Sequence, residues 1–234
     1  MKIPAWLFVA SFLIFLSLIS APTQAQTAPS ETEIGDYRGL HAAAYNGDTK
    51  EIRRLAALGH ELEVRDHAGR TAVHVAAFGS HDGVLRALIK AGADINAFEN
   101  DAYDVVTIAA VANDSKILRL ALALGGKPGN ITSPYEGTTL IAAAHLGHVE
   151  VVKILIAAGA PLDHINNLGW TALIEAIVLG DGGARHIKIA GALITAGAST
   201  TITDRNGVAP VELARQRGFE EIVALFAAAS RLKR

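Results

Sequence analysis

From about residue 37 onward the chain is built of blocks with a helical hydrophobic period. Apolar side chains stand at i, i+3 and i+4, with glycine at i+7. The sets are Ile52, Leu55, Ala56 and Gly59, then Leu85, Leu88, Ile89 and Gly92. Two more are Leu118, Ala121, Leu122 and Gly125, then Val152, Leu155, Ile156 and Gly159. This spacing places the apolar residues on one face of a helix and predicts four amphipathic helices. The closing glycine can take the left-handed backbone that ends a helix, and Gly197 closes a fifth block in the same way. Gly59, Gly92, Gly125, Gly159 and Gly197 are therefore expected to be structural residues.

A second pattern precedes each of these blocks. RGLHAAAYNG, TAVHVAAFGS, DVVTIAAVAN, TTLIAAAHLG, TALIEAIVLG and APVELARQRG open at Arg38, Thr71, Asp104, Thr138, Thr171 and Ala209, spaced by 33, 33, 34, 33 and 38 residues. These stretches are short and rich in alanine, so they predict helices that neighbours approach closely. Turn formers lie between units: Asp66-His67-Ala68-Gly69, Asn166-Asn167-Leu168-Gly169 and Asp204-Arg205-Asn206-Gly207. A repeat of this length, two helices per unit, predicts an all-α solenoid in which each unit buries its apolar face against its neighbours.

The motifs GRTAVHVAA, GTTLIAAAHLGHVEVVKILIAAGAP, GWTALIEA and GVAPVELA resemble the ankyrin repeats, over about residues 37–230. The resemblance implies a solenoid of about six helix-turn-helix units with turn or β-hairpin fingers, starting near 38, 71, 104, 138, 171 and 209. It also implies a structural duty for His41 and His74, which fall on the family's Thr-x-x-His position and would brace the next unit. Thr107, Ile141, Ile174 and Glu212 stand there in the other units, so the brace is not general. Pro210 keeps the family proline in the first helical turn, where its missing N–H costs nothing.

The first 25 residues are different. Lys2, an apolar run from Ala5 to Ile19 and the small residues Thr23 and Ala25 read as a cleavable export signal, with cleavage expected after Ala25. The run is short for a membrane span, so stable insertion after cleavage is not expected. Gln26–Asp36 reads as a flexible leader and 231–234 as a tail. The chain carries no cysteine, so its stability must come from packing alone. Its formal charge of −2 lacks the basic footprint of a nucleic-acid binder. Together these features point to a periplasmic or secreted protein.

Candidate chemistry is sparse. GDGGARH, at Gly180–His186, could hold an anion on glycine amides. It has no G-x-x-x-x-G-K-[ST] pattern, and five surplus residues fall in this unit, which predicts a lengthened inter-helix turn. His145 and His148 are spaced to share one helical turn, but no third ligand stands at metal spacing. Ser80-His81-Asp82 are adjacent, and a catalytic triad needs its groups to converge from separate elements. No catalytic residue, metal or cofactor is expected.

In the family, the concave surface is made by positions one, three and four before each unit's opening residue and four, seven and eight after it. Here the resemblance places Tyr37, Tyr45, His67, Arg70, Phe78, Tyr103, Tyr135, His145, Leu146, Trp170, Glu175, Val178 and Leu179 on that surface. They include every tyrosine of the chain and its only tryptophan after the signal. Tyr, Trp and Arg dominate binding hot spots, so the set predicts a face for a partner protein, or else for a glycan or small molecule. Glu175 is a lone carboxylate where other units have Ala42, Val75, Ile108, Ala142 and Leu213. The sequence does not name the partner, and self-association stays open.

Overall fold

The computed structural model describes residues 26–232, so the expected signal at 1–25 lies outside the described residues. A short helix, α1 (Glu31–Asp36), comes before six helix pairs. These are α2 (Gly39–Tyr45) with α3 (Thr49–Ala57), α4 (Ala72–Phe78) with α5 (Asp82–Ala91), and α6 (Val105–Val111) with α7 (Ser115–Ala123). They continue as α8 (Thr139–His145) with α9 (Val149–Ala157), α10 (Ala172–Val178) with α11 (Ala184–Thr195), and α12 (Pro210–Gln216) with α13 (Glu220–Leu232). The first helices stack on one another in order, α2 to α12, and the second helices form a parallel outer layer.

Composition explains the two layers. In α4, Ala72 to Ala77 are all buried, because this helix is enclosed by units on both sides and by its own second helix. Alanine allows that close approach. The second helices bury one face only: Ile52 and Leu55, Leu85 and Leu88, and Val152 and Leu155 are core, while Arg53, Arg86 and Lys153 are exposed. Each buried leucine or isoleucine contributes about 2 kcal/mol. Thr138 and Thr171 cap their first helices, and Asp48 and Asp114 cap their second helices by accepting from two backbone N–H groups each.

Among the described residues a single small hairpin, β1 (Ile131–Thr132) with β2 (Gly137–Thr138), forms the finger between the third and fourth units. The other fingers among the described residues are turns, organised by a side chain five residues before each opening residue. Asp66 Oδ1 accepts from the Ala68 and Arg70 N–H groups, Asn166 Oδ1 from Leu168 and Trp170, and Asp204 Oδ1 from Asn206 and Val208. Glu99 Oε1 does the same for Asp101 and Tyr103.

Three expectations need correction, and a fourth gains detail. The detail concerns the closing glycines. Gly92 is itself the left-handed cap of α5, but Gly59, Gly125, Gly159 and Gly197 stand one residue beyond the caps Leu58, Leu124, Ala158 and Ala196. All five have positive φ, as the helix ends require. Yet Gly59, Gly92, Gly125, Gly159 and Gly197 are all solvent-exposed, and a Cβ on any of them would meet nothing within 4 Å. Their structural duty is thus confined to the backbone angle, with no part in packing.

The leader is not simply flexible: α1 carries a complete Ser30/Glu33 capping box. The sixth unit's second helix runs on to Leu232, past the boundary expected at 230. The five surplus residues of the fifth unit are not all in the turn. The connection from α10 to α11 has five residues where the equivalent connections have three, and α11 has 12 residues against nine in α3, α7 and α9. His186 therefore sits inside a helix, buried.

Candidate concave interaction face

The first helices leave a narrow strip accessible. Seven residues after each opening residue stand Tyr45, Phe78, Val111, His145, Val178 and Gln216, all at least partly exposed. The adjacent position adds Leu146 and Leu179. The position four after the opening residue lies deeper on the same helical face and forms the floor. The fingers add half-buried Tyr103 and Trp170, and exposed His67 and Tyr135. Tyr135 is 51% exposed and Tyr45 43%.

Three residues expected on the open face are buried instead: Tyr37 (8% exposed), Arg70 (2%) and Glu175 (5%). The ordered leader covers Arg70, while Tyr37 packs against the first finger and the His41 and Tyr45 rings of α2. Arg70 Nε donates to Asp66 Oδ2 at 2.7 Å and Nη1 to the Thr27 carbonyl at 3.1 Å, and Nη2 pairs with Glu33 of α1. The Tyr37 hydroxyl donates to the same Asp66 Oδ2 at 2.8 Å. Burial works against the Asp66 charge, but these donors outweigh it and hold the carboxyl below its usual range. Arg70 thus fastens the leader to the first finger.

Glu175 lies on the floor between α8 and α10. Its Oε1 accepts from the Asn166 side-chain amide at 2.8 Å. Its Oε2 is 3.7 Å from His145 Nδ1, beyond hydrogen-bonding distance. Burial pushes the Glu175 carboxyl up to about 7. Burial, with the nearby charge of His186, also lowers His145. At this separation the two side chains do not form a close internal ion pair.

Five other histidines make the following bonds between units. His41 Nε2 bonds the Arg70 carbonyl at 2.8 Å, one unit onward. His74 Nδ1 accepts from the Thr71 N–H at 3.0 Å, and Nε2 donates to the Ala97 carbonyl at 2.9 Å. In the third unit Asp104 and Thr107 replace this arrangement, with Thr107 bonded to Thr139 of the next unit at 2.8 Å. A second series runs the other way, from the inter-helix turns. His81 Nε2 bonds the Tyr45 carbonyl, His148 Nδ1 the Ala110 carbonyl and His186 Nε2 the His145 carbonyl. His145 and His148 consequently face different partners. Among the described residues no three His, Asp or Glu side chains gather as a metal site.

GDGGARH is filled by its own side chains. Asp181 Oδ1 accepts from the Gly183 N–H at 2.9 Å and lies 2.7 Å from His186 Nδ1. The carboxylate occupies the place an anion would take at the start of α11. The loop then lets His186 reach the preceding unit, as His81 and His148 do from shorter turns.

Sequence reasoning missed two groups. Phe98, Ile131 and Ile165, each six residues after a closing glycine, are exposed at the fingertips, together with Leu168. An apolar residue recurring at one register of three successive units was the available signal. It also missed Asn166 as the partner of Glu175. Nothing in the spacing shows that the second half of a turn-forming amide has a use.

The pattern of helix pairs, fingers and inter-unit histidines agrees with comparison to known proteins. A family profile described as ankyrin repeats (three copies) matches residues 14–99 and 106–204. The chain belongs to the ankyrin-repeat family. It is 39% identical over 189 residues to the putative ankyrin repeat protein YahD of Escherichia coli K12, covering 80% of this chain and 93% of that one. The crystal structure of an ankyrin repeat domain from Acinetobacter baumannii AYE superposes with a TM-score of 0.75 at 41% identity, covering 82% and 97% of the two chains. The ankyrin repeat protein EF0377 gives 0.74 at 31%, covering 82% and 98%. Ankyrin repeats are in general protein–protein interaction modules.

Proposed function

We propose that this ankyrin-repeat protein is an exported, non-catalytic binding module that holds a partner protein across its first-helix strip and fingers. The observation that carries the reading is that Tyr45, Phe78, Tyr103, Tyr135, Trp170 and Leu179, at first-helix and finger positions of successive units, are all at least partly accessible. Phe98, Ile131 and Ile165 extend that face to the fingertips. Contiguous apolar and aromatic surface of this kind, interrupted by a few polar groups, suits a folded partner. One depression lies at the first finger, lined by Tyr37, Asp66 and His67 at the end of the strip, and another lies on the outer layer by Lys153 and Lys188.

Export rests on the signal-like start. N-terminal sequencing of the protein from its periplasm should return Gln26 first. For the interaction, capture by the unaltered protein should be lost with Trp170→Ala plus Tyr135→Ala, at an unchanged melting temperature. Capture that survives both substitutions would refute the concave assignment. Light scattering separates self-association from binding of a different protein.

A further inference from the structure

The floor of the concave strip is apolar at the positions equivalent to Glu175, where Ala42, Val75, Ile108, Ala142 and Leu213 stand. A carboxylate buried among such neighbours costs stability unless both oxygens find donors. In this structure only one does. Asn166 Nδ2 donates to Oε1 at 2.8 Å. Oε2 has no hydrogen-bond partner, with His145 Nδ1 3.7 Å away, and the Glu175 side chain keeps 7% of its surface accessible. Asn166 also receives the Trp170 N–H, so the one turn residue sets both the carboxylate and the finger that carries the indole.

The charges around this oxygen are few. From α8 comes His145, whose own charge is disfavoured by burial and by His186. From α11, His186 is spent on Asp181 and on the His145 carbonyl. From α12, Glu212 is paired with Arg215. Among the described residues no lysine or arginine is paired with Glu175.

Resting on the concave-face reading, we infer that Glu175 is a receptor for one basic side chain of the partner, an arginine or lysine entering between the fourth and fifth units. A guanidinium would donate to Oε2 and lie against the Trp170 ring and the exposed Leu179 side chain. A flat cation on an indole face adds to the ion pair. The site thus selects a basic residue at one point of an otherwise apolar footprint, and a partner with an acidic residue there is rejected.

The test needs no partner. N-acetyl-arginine amide is titrated into the isotope-labelled protein while the Trp170 indole N–H resonance is followed. N-acetyl-citrulline amide, of the same shape without the charge, serves as the control. A saturable millimolar shift with the arginine probe is expected, with roughly tenfold weaker binding of citrulline and in Glu175→Gln. Trp170→Ala loses the indole reporter, and in it the Asn166 side-chain amide resonance reads the same event with reduced affinity. The inference is overturned if the arginine probe gives no saturable shift, if citrulline binds equally, or if Glu175→Gln leaves binding unchanged. A failure here leaves partner capture by the strip standing, because capture is lost or kept with Tyr135 and Trp170 irrespective of this probe.

Discussion

The side-chain amide of Asn166 donates to Glu175 Oε1 at 2.8 Å while its carbonyl oxygen holds the turn that carries Trp170. Asp66 performs the same turn duty in the first finger, but its second oxygen accepts from Arg70 and Tyr37. The choice between amide and acid therefore follows the neighbour: a carboxylate at 175 needs the donor, and a guanidinium at 70 needs the acceptor. Asn166→Asp should cost about 2 kcal/mol or more at pH 8, because it sets two carboxylates together in a buried site. Adding Glu175→Gln should recover most of that loss, and a double-mutant cycle by urea denaturation measures the coupling.

The raised Glu175 carboxyl has a signed consequence for stability. Its folded value of about 7 exceeds the ordinary value of 4.5, so the folded state binds more protons between these two pH values. Its contribution to stability is full below about pH 4.5 and falls as pH rises to about 7. Glu175→Gln should flatten that fall and stabilise the protein by on the order of 2–3 kcal/mol at pH 8. Melting curves from pH 4.5 to 8 on both proteins check this.

His74 acts in the opposite direction. Burial pushes it down to about 4 from 6.5, so the unfolded chain binds more protons between those values, and stability is lost as pH falls through that window. His74→Ala should remove the acid sensitivity. It should also cost about 2–3 kcal/mol, since the buried Ala97 carbonyl and Thr71 N–H lose their partner. Chemical denaturation at pH 7 and pH 5 separates the two effects.

Arg70 and Glu33 tie α1 to the first finger, with Glu33 partly exposed and Arg70 buried. Glu33→Ala should lower global stability by only about 1 kcal/mol. Amide hydrogen exchange should rise in residues 27–36, while α4 and α6 keep their protection. Equal loss of protection throughout would show that α1 is part of the cooperative core.

Gly182 has φ +68, and a methyl there would collide with the Phe219 ring of the sixth unit. Gly182→Ala should cost about 2 kcal/mol and loosen the last helix pair first. Gly207, with φ +75 but open space around it, should cost less when changed to alanine. Paired melting curves test the contrast.

Much of the architecture could be read from the residues, because the core pattern is local. The i, i+3, i+4 triplets and the closing glycines mark second helices, and the alanine-rich blocks mark first helices. What could not be read was anything set by a contact across units. Tyr37 and Arg70 carry the residue types of a binding face, yet Tyr37 is drawn onto Asp66, 29 residues on, and Arg70 is covered by Thr27 of the leader, 43 residues back. The surplus at Gly180–His186 could be counted, but its division between turn and helix depends on His186 reaching His145. Glu175 could be singled out as an odd carboxylate, while its burial depends on how closely α8 and α10 pack.

Site-specific photo-crosslinking in the native host tests the binding face most directly. A photoreactive phenylalanine analogue is placed in turn at Tyr45, Tyr135 and Leu179 on the strip and fingers, and at Lys153 and Lys188 on the outer helices. A partner that crosslinks from the first three positions and from neither lysine position is the result expected. Crosslinks confined to the lysine positions, or none from any of the five, would contradict the assignment of this face.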